Sequence, residues 1–486
     1  MNSTLKNKII GGFVWNLFQK IGTQLMSFVI SIVLARILMP SDYGLIAMIT
    51  VFTNIALVFI NTGFSSAIIQ KEDLSDADIS TMFYSGMGLS FVLYGILYFL
   101  APYIANFYKQ PALTELFRVE CLIVVIGAAY SVQQALIKRN LQFKKSFACG
   151  VVGVIVQGVT GIYLALRGFG PWALIYGTIV HYVVVCVLMW CVVDWKPKIV
   201  FSVKSFKSMF SFSVKMLAAG LLDSLFNNIR SIIIGAKYSS SDLAYYNKGY
   251  QFPTLIMTQV DGAITTVLFS SLSKFQSDWE RGLQVLRRSL KTSLYVCTPL
   301  MAGMCAVADP MIRILLTDKW ADSIVYVRLV AIICMFWPMS AQRHALNSLG
   351  KSGVSLKMNI IGKTMTITCL LLTYRHSVQL MIASSIFSSI IGLFINACFY
   401  RKHLGYRLSD QIKDILPPVL LSAIMGFVTY SVMFLKLSSV LTLIIQIPLG
   451  IVVYICLSKL AKIDSFDYIL SMAKEFLNKR NKQENI

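Results

Sequence analysis

A chain of 486 residues that is 56% hydrophobic and only 14% charged, with a mean hydropathy of +0.69, has too little polar surface to cover a water-soluble fold. Lipid is its expected solvent, which excludes an ordinary soluble enzyme. The formal net charge of +22 reads as membrane topology and attraction to anionic lipid, and it calls for no nucleic-acid partner.

Fourteen hydrophobic blocks follow one another at 11–37, 43–69, 79–104, 113–136, 146–166, 171–193, 206–234, 243–270, 288–316, 323–346, 354–374, 376–400, 412–435 and 438–460. Each exceeds the roughly 20 residues that a helix rising about 1.5 Å per residue needs to cross a hydrocarbon core of about 30 Å. The first begins after a short polar start, Met1–Ile10, and has no small-residue cleavage site after it, so a retained span is expected here and not a signal peptide. Basic residues fall in alternate gaps: 29 lie on the side of the N-terminus and 10 on the opposite side. Such a bias in short loops is the positive-inside signature, and it places both termini in the cytoplasm. The loop at 71–78 is acidic, but acids contribute little to this rule.

The connections between blocks are about 16 residues at most, too short to house a catalytic domain, and there is neither a phosphate-cradling Gly-rich loop nor a nucleophile elbow. No catalytic residue is assigned and no ATP-driven step is expected from this chain. Ten cysteines lie within or beside the blocks without a C-x-x-C pair and read as small apolar packing residues. His181, His344, His376 and His403 stand in separate segments with no nearby acid or thiol, so no metal site is expected.

An internal repeat organises the blocks. Shifting the chain by 200 residues sets Leu34-Ala35-Arg36-Ile37-Leu38-Met39-Pro40-Ser41-Asp42-Tyr43-Gly44 against Ile234-Gly235-Ala236-Lys237-Tyr238-Ser239-Ser240-Ser241-Asp242-Leu243-Ala244. In both copies a long helix ends in a basic residue, and a Ser-Asp pair caps the next helix through the Asp side chain. The same shift brings Asn61-Thr62-Gly63 near Asp261-Gly262. Six spans per copy give both copies the same orientation. The expected architecture is all-α, with two six-helix lobes at 1–199 and 200–405, and with the last two helices and a basic tail at 406–486 as an appendage. Parallel repeats of this kind place substrate sites between the lobes.

The string Gly12-Phe13-Val14-Trp15, followed by Leu34 through Gly44, resembles the opening of the Wzx-type polysaccharide flippases of the multidrug/oligosaccharidyl-lipid/polysaccharide exporter superfamily. Further similar strings follow in the same order: Ala135 to Lys144, then Gly168-Phe169-Gly170-Pro171-Trp172-Ala173-Leu174, then Asp309 to Leu316 with Lys319-Trp320. The resemblance covers most of residues 10–400 and is strongest to the colanic-acid and teichuronic-acid exporter branch. It implies a MATE-like fold and movement of an undecaprenyl-diphosphate-linked oligosaccharide from the inner to the outer leaflet of a bacterial cytoplasmic membrane. It also implies alternating access driven by an H⁺ or Na⁺ gradient without a cofactor, with a polysaccharide polymerase and glycosyltransferases as candidate partners. A drug/ion antiporter of the same superfamily and a non-transporting scaffold are the competing readings.

An anionic diphosphate needs compensating positive charge in low dielectric, and cations inside spans usually face a bundle interior or a wet cavity. Lys20, Lys215, Arg230, Lys248 and Lys363 are the cations clearly inside blocks. Asn16, Lys20, Thr23, Gln24 and Ser27 form one polar stripe on the first span, within about 100° of arc. Lys215, Asp223, Asn227 and Arg230 form another on the seventh. Expected substrate-binding residues are Lys20, Gln24, Lys215, Asn227, Arg230 and Lys248, with the two stripes as facing cavity walls. Each cation also has a structural reading: snorkelling for Lys20, interfacial placement for Lys215 and Lys363, pairing of Arg230 with Asp223, and anchoring of an aromatic belt for Lys248. Of the embedded acids Glu120, Asp223 and Asp261, the latter two are the expected coupling-ion residues. Pro253, Pro299 and Pro338 lie inside spans of the second lobe, which is therefore expected to bend more.

Overall fold

The computed structural model describes residues 3–71, 73–272 and 278–471, with side chains described for all of these except 3–14, 16–20, 62–64, 211–212, 261 and 263–271. Among the described residues every regular element is helical. In chain order the helical segments are α1 (Ser3–Ile37), α2 (Pro40–Gln70), α3 (Asp76–Phe107), α4 (Leu113–Arg139), α5 (Phe143–Leu166), α6 (Trp172–Val192), α7 (Val203–Lys237) and α8 (Ser240–Leu272). They continue as α9 (Trp279–Leu316), α10 (Ser323–Ser348), α11 (Ser352–Thr373), α12 (Val378–Leu404), α13 (Leu408–Leu435) and α14 (Ser439–Leu460).

Among the described residues eleven of these segments, all but α1, α8 and α11, are long and apolar enough to cross a membrane, so the protein is a multi-pass membrane protein. The other three coincide with expected spans and are helical, but stand outside that set. Side chains 3–14 and 16–20 of α1 and 261 and 263–271 of α8 lie outside the described residues, and α11 carries Lys357, Asn359 and Lys363.

The repeat signature survives at atomic detail. Asp42 Oδ2 accepts a hydrogen bond from the Met39 amide at 3.1 Å, and Asp242 Oδ2 accepts one from the Ser239 amide at the same distance. Both aspartates act from the third residue of the helix back onto the residue before it, the carboxylate half of a capping box. Arg36 and Lys237 stand in the last turn of the preceding helix in each copy, where a cation complements the carbonyl end of the dipole. The starts of the two capped helices meet: a side chain at Gly44 would collide with the Ser240 backbone.

The contacts divide the chain into two compact units, Met1–Ala244 and Tyr245–Ile486. The expected boundary after residue 199 falls one helix earlier than this division. The reason is α7, which packs along α2 and α3, with Gly235 bringing its backbone against Met48 and Tyr108.

In the first unit α5 is the central helix, held between α1 and α6. Its glycines set both spacings. Gly158 faces Ile30 of α1, and Gly161 of α5 and Gly177 of α6 face each other's helix, a side chain at Gly177 meeting the backbone of Gln157 and Gly161. Small residues allow this approach where lipid supplies no hydrophobic drive for helix association. A second packing region gathers Ile68, Met82, Phe83, Ala135, Ile137 and Met189, with Trp190 donating to the Ala129 carbonyl at 2.8 Å.

In the second unit α13 and α14 are integral parts of the packing. Tyr295 of α9 donates to Ser458 of α14 at 2.8 Å, Tyr454 returns a bond to the Tyr295 carbonyl at 2.8 Å, and Thr298 meets Ser422 of α13 at 2.8 Å. At one end of this bundle Asp414 accepts Arg287 at 2.8 and 3.1 Å, Lys291 at 3.2 Å and the Tyr406 hydroxyl at 2.7 Å. Burial and the Asp414 carboxylate both push the Tyr406 phenol above its ordinary range.

Helix irregularities occur in both units. Pro253 lies inside α8, Pro299 and Pro310 inside α9, and Pro338 opens a 3₁₀ turn, Trp337–Ser340, within α10. The first unit has Pro102 inside α3 and a π-helical turn, Phe59–Phe64, within α2. That turn spans the Asn61-Thr62-Gly63 string.

Gly44→Ala is expected to lower stability by about 1–3 kcal/mol through overpacking against Ser240. Gly303→Ala, which meets nothing within 4 Å inside α9, should leave the melting temperature of the detergent-solubilised protein unchanged or raise it slightly, since Ala is the better helix former. Asp414→Ala removes the buried member of a charge cluster, whose carboxylate side chain is 2% exposed. Because Arg287 and Lys291 remain about one-third exposed, the loss should sit near the low end for a broken buried pair, about 3 kcal/mol. Thermal unfolding in the same detergent checks both.

Candidate functional site

Four helices of the first unit turn polar faces toward one cavity of about 630 Å³. α1 contributes Thr23, Gln24 and Ser27, and α4 contributes Tyr130, Gln134 and Lys138 at successive turns. Phe143, Ser146, Gly150, Val154 and Gln157 come from α5, and His181, Val185 and Met189 from α6. Spacings of three and four residues keep each set on one helix face. Gly150 and Gly153 keep the α5 wall thin: Gly150 faces Thr23 of α1, and Gly153 leaves room for the His181 ring.

Among the described residues the polar lining is hydroxyl, amide and imidazole, with two aromatic rings, one ammonium group and no carboxylate, beside the apolar Val154, Val185 and Met189. Tyr130, Gln134, Gln157 and Lys138 make no side-chain hydrogen bond to another described residue, so their polar ends are available to a ligand or to water. Its neighbours in the basic segment are occupied elsewhere. Arg139 donates to the Ile68 and Lys71 carbonyls, Lys144 lies 5.4 Å from the Trp15 ring centroid, and Lys145 donates to the Val192 carbonyl at 3.1 Å. Such a cavity can hydrogen-bond a polyhydroxyl ligand through many neutral groups and stack a sugar face on Tyr130 or Phe143. Without a carboxylate it has nothing to hold an organic cation by charge.

Gln24 is the expected binding residue that lines this cavity, in company with Thr23 and Ser27 of the same stripe. The side chains of Lys20 and Asp261 lie outside the described residues. Lys215, Asp223 and Asn227 share an exposed face of α7, with Arg230 half-buried beyond them. α1 packs on α5 and α7 on α2, so the two stripes belong to different helix pairs. Lys248 is 5% exposed, packed 5.8 Å from the centroid of the buried Trp320 ring, with Gln251 Oε1 at 3.4 Å. Glu120 is buried at the break in α4 near Cys121, and the Arg118 guanidinium lies over the Tyr98 ring, 4.3 Å from its centroid. Gln157 and His181 are legible in the sequence as uncharged polar residues deep in apolar blocks and Gln134 as one near a block end, although none carries the charge that marks Lys20 or Arg230.

A family described as "Polysaccharide biosynthesis protein" matches residues 33–325. The chain belongs to that family. Its match to the succinoglycan biosynthesis transport protein ExoT of Rhizobium meliloti is 24% identical and covers 63% of this chain but only 62% of that protein. The teichuronic acid biosynthesis protein TuaB of Bacillus subtilis is 24% identical over 79% of this chain and 80% of its own length. The lipopolysaccharide biosynthesis protein WzxC of Escherichia coli is 21% identical over 74% and 73%. Among solved structures, the lipid II flippase MurJ in an inward closed conformation superposes with a TM-score of 0.72 at 17% identity, covering 92% of this chain and 98% of that one. An inward-facing MATE multidrug transporter gives 0.60 at 14% identity over 79% and 94%. These likenesses bear out the Wzx-type resemblance and the MATE-like fold, in a family of transporters and not of enzymes.

Gln134→Leu and Gln157→Leu should each reduce export about five-fold, the equivalent of one net hydrogen bond of about 1 kcal/mol per site. Surface polysaccharide, measured at matched membrane levels of protein, checks this. An unchanged yield from the double variant would remove the cavity from the transport path.

Proposed function

We propose that this protein is a flippase that moves an undecaprenyl-diphosphate-linked oligosaccharide from the inner to the outer leaflet of a bacterial cytoplasmic membrane for surface polysaccharide synthesis. The observation that carries the reading is the cavity of the first unit, whose described lining is rich in hydroxyls and amides, has no carboxylate and holds one lysine, Lys138. Its neutral groups suit a glycan. The ammonium group, in a segment on the side that the charge bias makes cytoplasmic, suits an anion entering from the inner leaflet.

The relatives whose names refer to succinoglycan transport, teichuronic acid and lipopolysaccharide support a glycan substrate, and the likeness to a lipid II flippase supports a lipid-linked one. In this reading fourteen spans in a six, six and two arrangement place both termini in the cytoplasm, and access to the cavity alternates between leaflets. An H⁺ or Na⁺ gradient drives the cycle, with Asp223 and Asp261 as coupling-ion candidates. Polymerase and glycosyltransferases act on either side of the step. The drug/ion antiporter reading shares the fold, but an acid-free cavity gives it little to bind a cationic drug.

Deleting the gene should make lipid-linked oligosaccharide accumulate on the inner leaflet, as read by its protection from externally added glycosidase in spheroplasts. Wild-type protein should restore access, and Lys138→Gln should restore it only partly. Normal exposure of the lipid-linked glycan in the deletion strain, together with new sensitivity to cationic dyes, would replace the flippase with the antiporter.

A further inference from the structure

The second unit has a basic groove that the transport reading does not use. It lies between the first turns of α9, the start of α13 and the chain after α14, where a further helix runs over 464–471. A cavity of about 460 Å³ is lined by Gln284, Arg287, Arg288, Lys291, Asp464 and Tyr468 among others. An adjoining one of about 170 Å³ shares Lys291, Asp464 and Ser465 and adds Lys413, Asp414 and Lys462. Five cations thus face two carboxylates.

Asp414 is saturated by Arg287, Lys291 and Tyr406, so its charge is spent inside the protein. The Arg288 guanidinium lies over the Tyr468 ring, its Cζ 3.8 Å from the centroid, which holds the cation in the groove. Among the described residues Arg288, Lys413 and Lys462 carry no ion pair. The groove therefore keeps its positive charge, in a place where Ile463, Phe466 and Ile469 of the closing segment anchor that segment to the α9, α13 and α14 core.

The apolar surroundings select among anions. On α13, Leu416 and Leu420 follow Lys413 at helical spacing and are 47% and 51% exposed, and Leu460, just before Lys462, is 80% exposed. Each pairs a cation at the groove with bare leucine along the helix toward the membrane interior. That arrangement fits a molecule with an anionic head and acyl chains, and offers a soluble anion only half of its contacts.

We propose that this groove binds the phosphate headgroup of an anionic phospholipid, with Arg288, Lys413 and Lys462 on the phosphate and Leu416 and Leu420 along an acyl chain. The lipid is a resident of the bilayer, and the proposal does not depend on what the protein transports.

The test uses the full-length protein purified in detergent, with native mass spectrometry counting bound phosphatidylglycerol against phosphatidylcholine of the same chains. Wild-type protein should retain phosphatidylglycerol preferentially. Arg288→Gln, Lys413→Gln and Lys462→Gln should each weaken that binding about five-fold and the triple variant about a hundred-fold, from about 1 kcal/mol per basic group. Lys198→Gln, which removes an exposed cation paired with Asp76 in the first unit, should change nothing. Arg288, Lys413 and Lys462 lie outside the Asp414 pair, so a melting temperature equal to wild type would show the triple variant folded. Should it fail to fold, Lys413→Gln alone decides. Equal retention of the two lipids, or undiminished phosphatidylglycerol in the folded variants, would overturn the proposal. Displacement of the lipid by inorganic phosphate at equal concentration would overturn it too, by assigning the groove to a free anion.

Discussion

Hydrocarbon offers no hydrogen bonds, so each amide, hydroxyl or imidazole inside a span must be satisfied by the protein or stand against water. In the first unit this constraint concentrates the polar residues of α1, α4, α5 and α6 at one cavity, because a Gln or His turned toward lipid would cost several kcal/mol. In the second unit the same constraint closes on itself. Tyr295, Tyr454, Ser458, Thr298 and Ser422 bond one another across three helices, leaving a knitted core. These polar residues of the first unit thus line a cavity, while the hydroxyls of α9, α13 and α14 hold helices together.

The glycines of α5 make the first outcome possible. A helix with side chains at 150, 153, 158 and 161 would hold α1 and α6 further away, and the room that His181 occupies beside Gly153 would vanish. The same absence of side chains that lets the helices approach at Gly158 and Gly161 leaves a recess where the lining is polar. Packing and site are two consequences of one sequence feature, so large residues at these glycines cannot be neutral to either.

Much of the architecture was legible because it is written in local terms. Block lengths placed most helix ends to within about four residues, the starts of α1 and α9 lying eight and nine residues earlier than expected, and Asp42 and Asp242 cap their helices as the 200-residue shift implied, although each works back from the third helical position. The assignment of α7 was not legible, since its packing on α2 depends on Gly235 meeting Met48 and Tyr108, contacts between residues far apart in the chain. Nor was the placement of α13 and α14, which have no partner in the repeat and pack on α9 through Tyr295, Ala302, Leu421, Met425 and Tyr454, contacts between residues far apart in the chain. The site was half legible. The α1 stripe announced Gln24, but a search for buried cations passed over Gln134, Gln157 and His181, and Lys248 proved to be packed against Trp320 and so part of the core.

That bias toward charge carries a lesson about how a carrier for the proposed substrate must work. A ligand shifts a two-state protein only through its differential affinity for the states, and a site that binds equally tightly in both moves nothing. Several buried cations around a diphosphate would bind it strongly in every conformation and release it slowly. Neutral amides and hydroxyls contribute about 1 kcal/mol each, net of their bonds to water. A cavity made of them can hold a sugar chain through many contacts and still surrender it when a small change in helix position breaks several together. One lysine beside such a surface is enough to orient an anion without trapping it. For a protein that must let go of what it binds, weak polar lining is the more informative signal, and the thin α5 wall puts that lining where a modest shift would reshape it.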